Sequence, residues 1–157
     1  MAAINNFALF SPSSDCGSYA ELRLFFPSQI QAISPFVGRI MAFIAKIRRV
    51  DIEVALREAL ANAIVHGNHE DPHKHIYVVC RCTPEGDVSL MVKDEGEGFD
   101  HGRVADPTAL ENRLLASGRG IYFMKTLMDE IRFEEGGKVV YMRKASYPGP
   151  VAKRRSE

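Results

Sequence analysis

The chain has 157 residues, 46% of them hydrophobic, which suits one compact domain with a full core. Its 20 basic and 20 acidic residues cancel, which argues against sequence-independent nucleic-acid or membrane binding as a main activity. We find no secretion signal and no apolar stretch near the roughly 18 residues of a membrane span, so we expect a soluble, cytoplasmic protein. Cys16, Cys80 and Cys82 are odd in number, and we expect reduced thiols.

The first predicted elements are a strand and a helix. Residues 20–26 read as a strand. Residues 28–48 follow as a helix, for which Ser28 and Gln31 resemble a capping box. Pro35 falls inside this helix and is expected to kink it.

A second helix is predicted over residues 52–66. Apolar residues recur there at helical spacing, namely Ile52, Ala55, Leu56, Ala59, Ala63 and Ile64. Asp51 is placed to cap its start, and Gly67 is placed to end it.

This second helix carries a polar stripe, because Glu58, Asn62 and His66 lie four residues apart and therefore share one face. The Asn62 side chain can supply a carbonyl oxygen to Mg²⁺, which needs few protein ligands when phosphates and water complete its shell. Glu58, one turn earlier, is placed to accept a proton from a hydroxyl that attacks a phosphate. A solvent-facing Glu followed by an unrelated Asn is the alternative interpretation.

A β-hairpin is predicted next, with strands at residues 75–82 and 88–94 around a Pro-Glu-Gly-Asp turn. The second strand ends at Asp94 in an acidic turn that contains Gly96 and Gly98. Two glycines permit positive φ and a close approach of the backbone to a ligand. A plain acidic hairpin turn would show the same pattern.

Ser117-Gly118-Arg119-Gly120 precedes an apolar run that begins at Ile121, so a helix over 119–129 is predicted. Helix N-termini bind anions, so Gly118 and Gly120 would cradle phosphates. Arg119 would add a charge-assisted contact to a γ-phosphate, unless it is simply an exposed side chain.

Residues 100–117 lie between the two glycine-rich segments and are expected to form a lid. Strands at 131–135 and 138–144, joined by a Gly-Gly turn, complete the predicted domain over residues 20–145. Residues 1–19 are expected to be irregular, and residues 146–157 to be a flexible tail.

Several histidines and cysteines invite a comparison with zinc sites. His66, His69, His73 and His75 fall within ten residues, with Cys80 and Cys82 close behind. Imidazole and thiolate are zinc ligands, but this spacing matches no zinc signature. We expect solvated loop histidines.

Three segments in this order, Glu58-x-x-x-Asn62-x-x-x-His66, Asp94-x-Gly96-x-Gly98 and Gly118-Arg119-Gly120-Ile121, resemble the N, G1 and G2 boxes of an ATP-binding superfamily. DNA gyrase, Hsp90, histidine kinases and MutL belong to that superfamily. The runs ALREALANAIVH and GRGIYFMKTLMDEI resemble one branch of it, the bacterial anti-sigma factor serine-protein kinases. The resemblance covers about residues 20–145.

The resemblance implies an α/β two-layer sandwich, in which a mixed, mainly antiparallel sheet of about five strands has helices on one face. It implies that Glu58 is the catalytic base, that Asn62 holds Mg²⁺ and that Asp94 accepts a hydrogen bond from the adenine amino group. The implied nucleotide-binding set is Asn62, His66, Asp94, Gly96, Gly98, Gly118, Arg119, Gly120 and Ile121.

The resemblance further implies that the protein uses ATP or ADP with Mg²⁺ and phosphorylates a serine of an anti-anti-sigma-type partner. A sigma factor as second partner and a homodimer are also implied, without direct binding to nucleic acid or to a membrane. Two other functions stay open: a non-enzymatic, nucleotide-dependent sequestering module, and a histidine kinase catalytic domain that acts in trans. Glu58 favours the serine kinase over the sequestering module.

Overall fold

The computed structural model describes residues 18–44, 50–98 and 116–146, and the backbone strand 6–9; for residues 116–118 only the backbone is described. The strands are β1 (Asn6–Leu9), β2 (Ala20–Pro27), β3 (His75–Cys82), β4 (Val88–Lys93), β5 (Glu130–Glu134) and β6 (Val139–Lys144). The α-helices are α1 (Ile33–Phe43), α2 (Val50–Asn62) and α3 (Ala116–Leu127). Short helical turns at Ile30–Ala32, Ala63–Gly67 and Glu135–Gly137 join them.

The described strands form a single sheet in the order β1-β2-β3-β4-β6-β5, and each pairing between neighbours is antiparallel. The sheet thus has one strand more than the expected five. The additional strand is β1, which lies within residues 1–19, the segment expected to be irregular. It pairs with β2. The predicted two-layer α/β class with a mainly antiparallel sheet is confirmed.

The core lies between the sheet and the three helices. One apolar row runs across five strands in register, from Leu24 through Val78, Val92 and Val140 to Phe133. These side chains pack with the apolar faces of the helices in one continuous cluster. Side chains alternate along a strand, so the residues between them lie on the opposite, open face of the sheet.

The predicted capping box before α1 is wrong. The hydroxyl of Ser28 is buried, and within the described part of the chain it makes no hydrogen bond, whereas a capping box needs it to accept one. A 3₁₀ turn intervenes, and α1 starts at Ile33. Pro35 therefore sits in the first turn of α1, where its missing N–H costs no helical hydrogen bond, and α1 continues past it to Phe43. The expected extension to residue 48 falls partly on residues 45–49, outside the described part.

Helix α2 differs from its prediction at both ends. It includes Val50, so Asp51 lies within the first turn rather than before it, and its carboxylate accepts from the N–H of Ile52 at 3.1 Å. At the other end, the chain widens into a π-helical turn over Ala63–Gly67. The Asn68 N–H donates to the carbonyl of Ala63, five residues back, at 2.8 Å. Such turns are rare and often mark functional sites.

A mostly buried lysine joins three elements at one end of the domain. The ammonium of Lys144, at the end of β6, donates to the carbonyl of Leu127, the last residue of α3, at 2.6 Å and to Asp129, just before β5, at 3.2 Å. It also pairs with Asp51 in α2 at 3.1 Å. Only 14% of this side chain is exposed, so the contacts tie α2 and α3 to the sheet.

Other expectations concern the thiols and the membrane. Cys80 and Cys82 are free thiols on the helix-facing side of β3, and burial raises the pKa of Cys80 to about 12. Cys16 and most of the expected tail lie outside the described residues. Among the helices of the described ranges, none combines the length and apolar character needed to cross a bilayer.

Candidate nucleotide-binding site

Asp94 begins the turn that follows β4 and is the most enclosed carboxylate near the predicted motifs, with 3% of its surface exposed. Its N–H donates to the Lys138 carbonyl at 3.0 Å, which fixes the turn to β6. Its Oδ1 accepts from the Gly96 N–H at 2.8 Å. Burial raises the pKa of Asp94, and the Gly96 N–H and nearby lysines only partly oppose this. A buried carboxylate of this kind suits a ligand that donates a hydrogen bond.

Two glycines let the backbone close around Asp94. A β-carbon at Gly67, the last residue of the π turn, would lie 2.4 Å from the Asp94 carboxyl carbon. A β-carbon at Gly96 would lie 2.0 Å from the Gly67 carbonyl oxygen. Both distances are shorter than any real contact, so only glycine fits at either position. Sequence reasoning assigned Gly67 only the end of a helix and missed this packing.

Asn68 was also missed. It is fully buried, its Nδ2 donates to the His75 carbonyl at 3.0 Å, and its Oδ1 accepts from the Glu95 N–H at 2.8 Å. The Glu95 carboxylate in turn accepts from the His75 N–H at 2.7 Å and from the Tyr77 hydroxyl at 2.9 Å. Burial raises the pKa of Glu95, but these hydrogen bonds outweigh it, and the pKa lies below its ordinary value. The π turn, β3 and the Asp94 turn are thereby connected.

Glu58 and Asn62 approach the start of α3 at Gly120. A β-carbon at Gly120 would lie 2.7 Å from Oε2 of Glu58, and 3.5 and 3.6 Å from the side-chain nitrogen and oxygen of Asn62. The Asn62 Nδ2 is buried and makes no hydrogen bond within the described ranges. An unpaired buried amide is costly, which indicates that a ligand satisfies it.

A small cavity of about 10 Å³ lies where α2 and α3 meet the sheet. It is lined by Ala59, Asn62, Ala63, Val92, Asp94, Met124, Phe133, Gly137, Lys138 and Val140. The predicted carboxylate and amide therefore line one small cavity, whose remaining wall is mainly apolar and whose volume is that of about one water molecule. The apolar residues carry no local signal of this role, because the same periodicity marks core positions.

Gly98 is not among the residues that line the cavity and packs instead against the turn between β5 and β6. Its φ is +89°, and a β-carbon there would lie 2.3 Å from the Gly136 carbonyl oxygen. The predicted positive φ and close backbone approach are present, with the approach made to the turn between β5 and β6. Lys93 and Glu135 reinforce this junction with an ion pair at 2.8 Å.

The remaining predicted residues are dispersed. His66 is exposed and lies in the π turn that follows α2. Helix α3 begins at Ala116, so Gly118 and Gly120 lie within its first turns; Arg119 there is exposed. Ile121 is buried in the core. The predicted lid, residues 100–117, lies almost entirely outside the described residues.

The histidine-rich loop does not form a metal centre in the structure. His69 and His73 are exposed, and His75 is half-buried beside Glu95 at 3.6 Å. Among the described residues, no group of three or more His, Cys, Asp or Glu side chains is arranged to hold a metal ion. A larger concavity of about 440 Å³ lies on the open face of the sheet and contains none of the motif residues.

The residues present fit a Mg²⁺-bound nucleotide. The Asn62 side-chain NH₂ has no hydrogen-bond partner among the described residues and can donate to a phosphate, its oxygen can face an ion, glycine at position 120 leaves room beside it, and Asp94 offers a carboxylate acceptor on the same cavity. Asn62 would hold the ion with one oxygen, in keeping with the few protein ligands that Mg²⁺ requires.

The fold and the cavity define a nucleotide-binding α/β domain of the two-layer type. Residues 26–144 match the histidine kinase-like ATPase domain, and the chain belongs to that family. It is 33% identical to the anti-sigma F factor of Priestia megaterium over 99 residues, which cover 60% of this chain and 67% of that protein. It is 31% identical to the anti-sigma F factor of Geobacillus stearothermophilus over 80% of this chain and 92% of that protein.

A relative named for its activity is also similar. The chain is 32% identical to the serine-protein kinase RsbW of Bacillus subtilis over 101 residues, which cover 60% of this chain and 62% of that protein. The predicted membership of the anti-sigma factor kinase branch is confirmed.

Proposed function

We propose that the protein is an ATP-dependent serine-protein kinase that phosphorylates an anti-anti-sigma-type partner and, as a homodimer in the cytoplasm, sequesters a sigma factor. The proposal is supported by the names of its relatives, two anti-sigma F factors and a serine-protein kinase. It is supported independently by the arrangement of Glu58, Asn62 and Asp94.

The observation that carries the proposal is the convergence of Glu58 and Asn62 on Gly120. One side chain is a carboxylate and the other an amide, and both reach the first turns of α3. The helix dipole makes the N-terminal end of α3 positive, which favours phosphate there. A carboxylate held at that point serves proton transfer better than phosphate binding, since its negative charge repels a phosphate.

The chemistry assigned to these residues is phosphoryl transfer. Asn62 would hold Mg²⁺, which supplies neutralisation of phosphate charge when bound. Glu58 accepts the proton of the attacking serine hydroxyl, while a new oxygen–phosphorus bond forms and the bond between the β- and γ-phosphates breaks. ADP leaves, and Glu58 returns its proton to solvent.

Recognition of the base falls to the other end of the cavity. Within the described residues, the Asp94 Oδ1 is occupied by the Gly96 N–H, and no hydrogen bond occupies Oδ2. Oδ2 would accept from the adenine amino group. Guanine presents a carbonyl oxygen at the equivalent position, which the carboxylate would repel.

The test is phosphoryl transfer by purified protein with Mg·ATP labelled at the γ-phosphate, using anti-anti-sigma-type proteins from the same host as substrates. We expect acid-stable phosphoserine on one of them. Glu58→Gln should lower the transfer rate by about 10²- to 10⁴-fold and leave ADP affinity nearly unchanged. Asn62→Ala should weaken Mg²⁺-dependent ADP binding instead.

Each alternative function has its own outcome. Tight binding of nucleotide and partner without any transfer would indicate a sequestering module. Acid-labile phosphate on a histidine would indicate a histidine kinase domain. Co-purification from the host with Mg·ADP, followed by mass spectrometry, tests the sigma factor, and light scattering of the purified protein tests the homodimer.

A further inference from the structure

Asn68 is the one fully buried side chain among the described residues that hydrogen-bonds two other segments of the site at once. It accepts from the Glu95 N–H at 2.8 Å and donates to the His75 carbonyl at 3.0 Å. Its own N–H closes the π turn on Ala63 at 2.8 Å. Asn68 therefore fixes the end of the π turn, the start of β3 and the turn after β4 relative to one another.

Its bond to Glu95 controls the neighbouring residue Asp94. The Glu95 N–H belongs to the peptide group that follows the Asp94 α-carbon, so holding this group fixes the backbone from which the Asp94 side chain projects. The Gly96 N–H then fixes Oδ1 of that side chain. Together these bonds leave Oδ2 with one orientation.

Asn68 also sets the distance between Asp94 and the π turn. Gly67, the residue before Asn68, lies against the Asp94 carboxylate closely enough to exclude any β-carbon. Because Asn68 bonds to both sides of this contact, a shift of the π turn would break its hydrogen bonds. The contact is thus held from within the protein, before any ligand arrives.

We propose that Asn68 is a positioning residue that aims the Asp94 carboxylate and so sets the preference for adenine over guanine. The inference rests on the proposed nucleotide site and adds to it a residue that touches neither nucleotide nor metal. A small error in the direction of Oδ2 weakens its bond to an adenine amino group, and it also relaxes the repulsion of a guanine carbonyl. Loss of Asn68 therefore reduces discrimination as well as affinity.

An amide is the chemically suitable group at this position. It combines a donor for the His75 carbonyl with an acceptor for the Glu95 N–H in one planar side chain. Aspartate has the same shape but no donor when ionised, and it would place a negative charge beside a carbonyl oxygen and close to Asp94. Asn68→Asp thus changes the hydrogen bonding with the least change in volume.

The experiment compares ADP and GDP affinities, with Mg²⁺, by calorimetry on the full chain and on its Asn68→Asp and Asn68→Ala variants. We expect both variants to bind ADP at least about tenfold more weakly, with a smaller loss for GDP, so that the ADP-to-GDP preference falls. Thr83→Ala is the matched control. It removes a side-chain acceptor, 3.2 Å from the Asp87 N–H, at the other end of the same hairpin, and should lower stability without changing the preference.

Hydrogen exchange of the unsubstituted protein gives a second measurement that needs no variant. The Glu95 amide should exchange slowly, because Asn68 occupies it. Rapid exchange of that amide, or folded variants with an unchanged ADP-to-GDP preference, would overturn the role of Asn68. If the variants do not fold, the exchange rate alone decides. Failure of the unsubstituted protein to bind ADP would instead overturn the nucleotide site itself.

Discussion

Gly120 in α3 lies directly against Glu58 in α2, so that a β-carbon at Gly120 would be 2.7 Å from the Glu58 carboxylate oxygen. The glycine leaves the space in which the proposed base stands. A side chain there would move the carboxylate while leaving the fold intact, because the atom it meets is the end of a flexible side chain.

Gly120→Ala should therefore lower the phosphoryl-transfer rate by about tenfold or more, since proton transfer by a positioned group contributes about 10²–10⁴-fold. ADP affinity should fall less, because the Asn62 amide would remain at ordinary contact distances of 3.5 and 3.6 Å. The measurement is kcat beside ADP affinity. Gly38→Ala is the control, since no atom lies within 4 Å of its β-carbon position; it should stabilise the protein by about 0.4–1 kcal/mol. An unchanged kcat in Gly120→Ala would contradict the placement of Glu58 as base.

Asp94→Asn should raise the melting temperature of the nucleotide-free protein and weaken ADP binding by about 10- to 100-fold. Burial raises the pKa of Asp94 above its ordinary 3.8, so the ionised carboxylate costs stability at neutral pH, and that cost disappears as pH falls through the raised pKa. ADP affinity of the unsubstituted protein should fall over the same pH range, since a protonated Asp94 accepts poorly. Thermal shift with and without ADP at several pH values tests both effects. A lower melting temperature for nucleotide-free Asp94→Asn than for the unsubstituted protein would contradict the predicted stabilisation.

Asp87→Asn should lower the free energy of unfolding at neutral pH but not in acid. The Ser146 N–H at 2.9 Å and the Arg143 guanidinium at 2.8 Å hold the pKa of Asp87 below its ordinary 3.8. The carboxylate thus contributes stability that is complete above about pH 4 and is lost as pH falls through its lowered pKa. Because the group is partly exposed, we expect a difference of about 1 kcal/mol or less at pH 7.

The measurement for this carboxylate is the free energy of unfolding of both proteins between pH 3 and pH 7. The gap between them should narrow in acid. Glu85→Gln, an exposed position in the same turn, is the control and should show no such gap. A gap that widens in acid would mean that the sign of the Asp87 contribution is wrong.

Lys144→Met should destabilise the protein by about 1–3 kcal/mol, because it leaves the Leu127 carbonyl and nearby carboxylates without their ammonium donor. For a domain of this size, the melting temperature should fall by about 2–12 °C. Lys125→Met, on the exposed side of α3, is the control and should have little effect. Equal melting temperatures for the two variants would show that the Lys144 contacts do not matter for stability.

The strands were predictable because their signals are local. Alternation of apolar residues and the turn residues between them placed the hairpin at 75–82 and 88–94, and the structure has His75–Cys82 and Val88–Lys93. The proximity of Glu58 and Asn62 was also predictable, since i, i+4 spacing on a helix brings two side chains to one face.

Long-range contacts were not predictable in this way. Asn68 meets Glu95 across 27 residues, and no local pattern announces that pairing. The π turn also has no simple sequence signal, so the predicted regular helix over 52–66 was wrong from Ala63 onward. Ser28 stands where a capping serine is expected in the sequence, but the folded protein buries it and its hydroxyl does not cap α1.

The π turn Ala63–Gly67 also sets the separation along the chain between Asn62 and the residues that contact Asp94. Asn62 ends the regular helix near Gly120, and Gly67 lies against the Asp94 carboxylate. Deleting one residue between them would remove the five-residue hydrogen bond from the Asn68 N–H to the Ala63 carbonyl and allow an α-helical turn in its place. The length of this short segment therefore sets how Gly67 and Asn68 meet the Asp94 turn, and we expect a single-residue deletion here to loosen that turn.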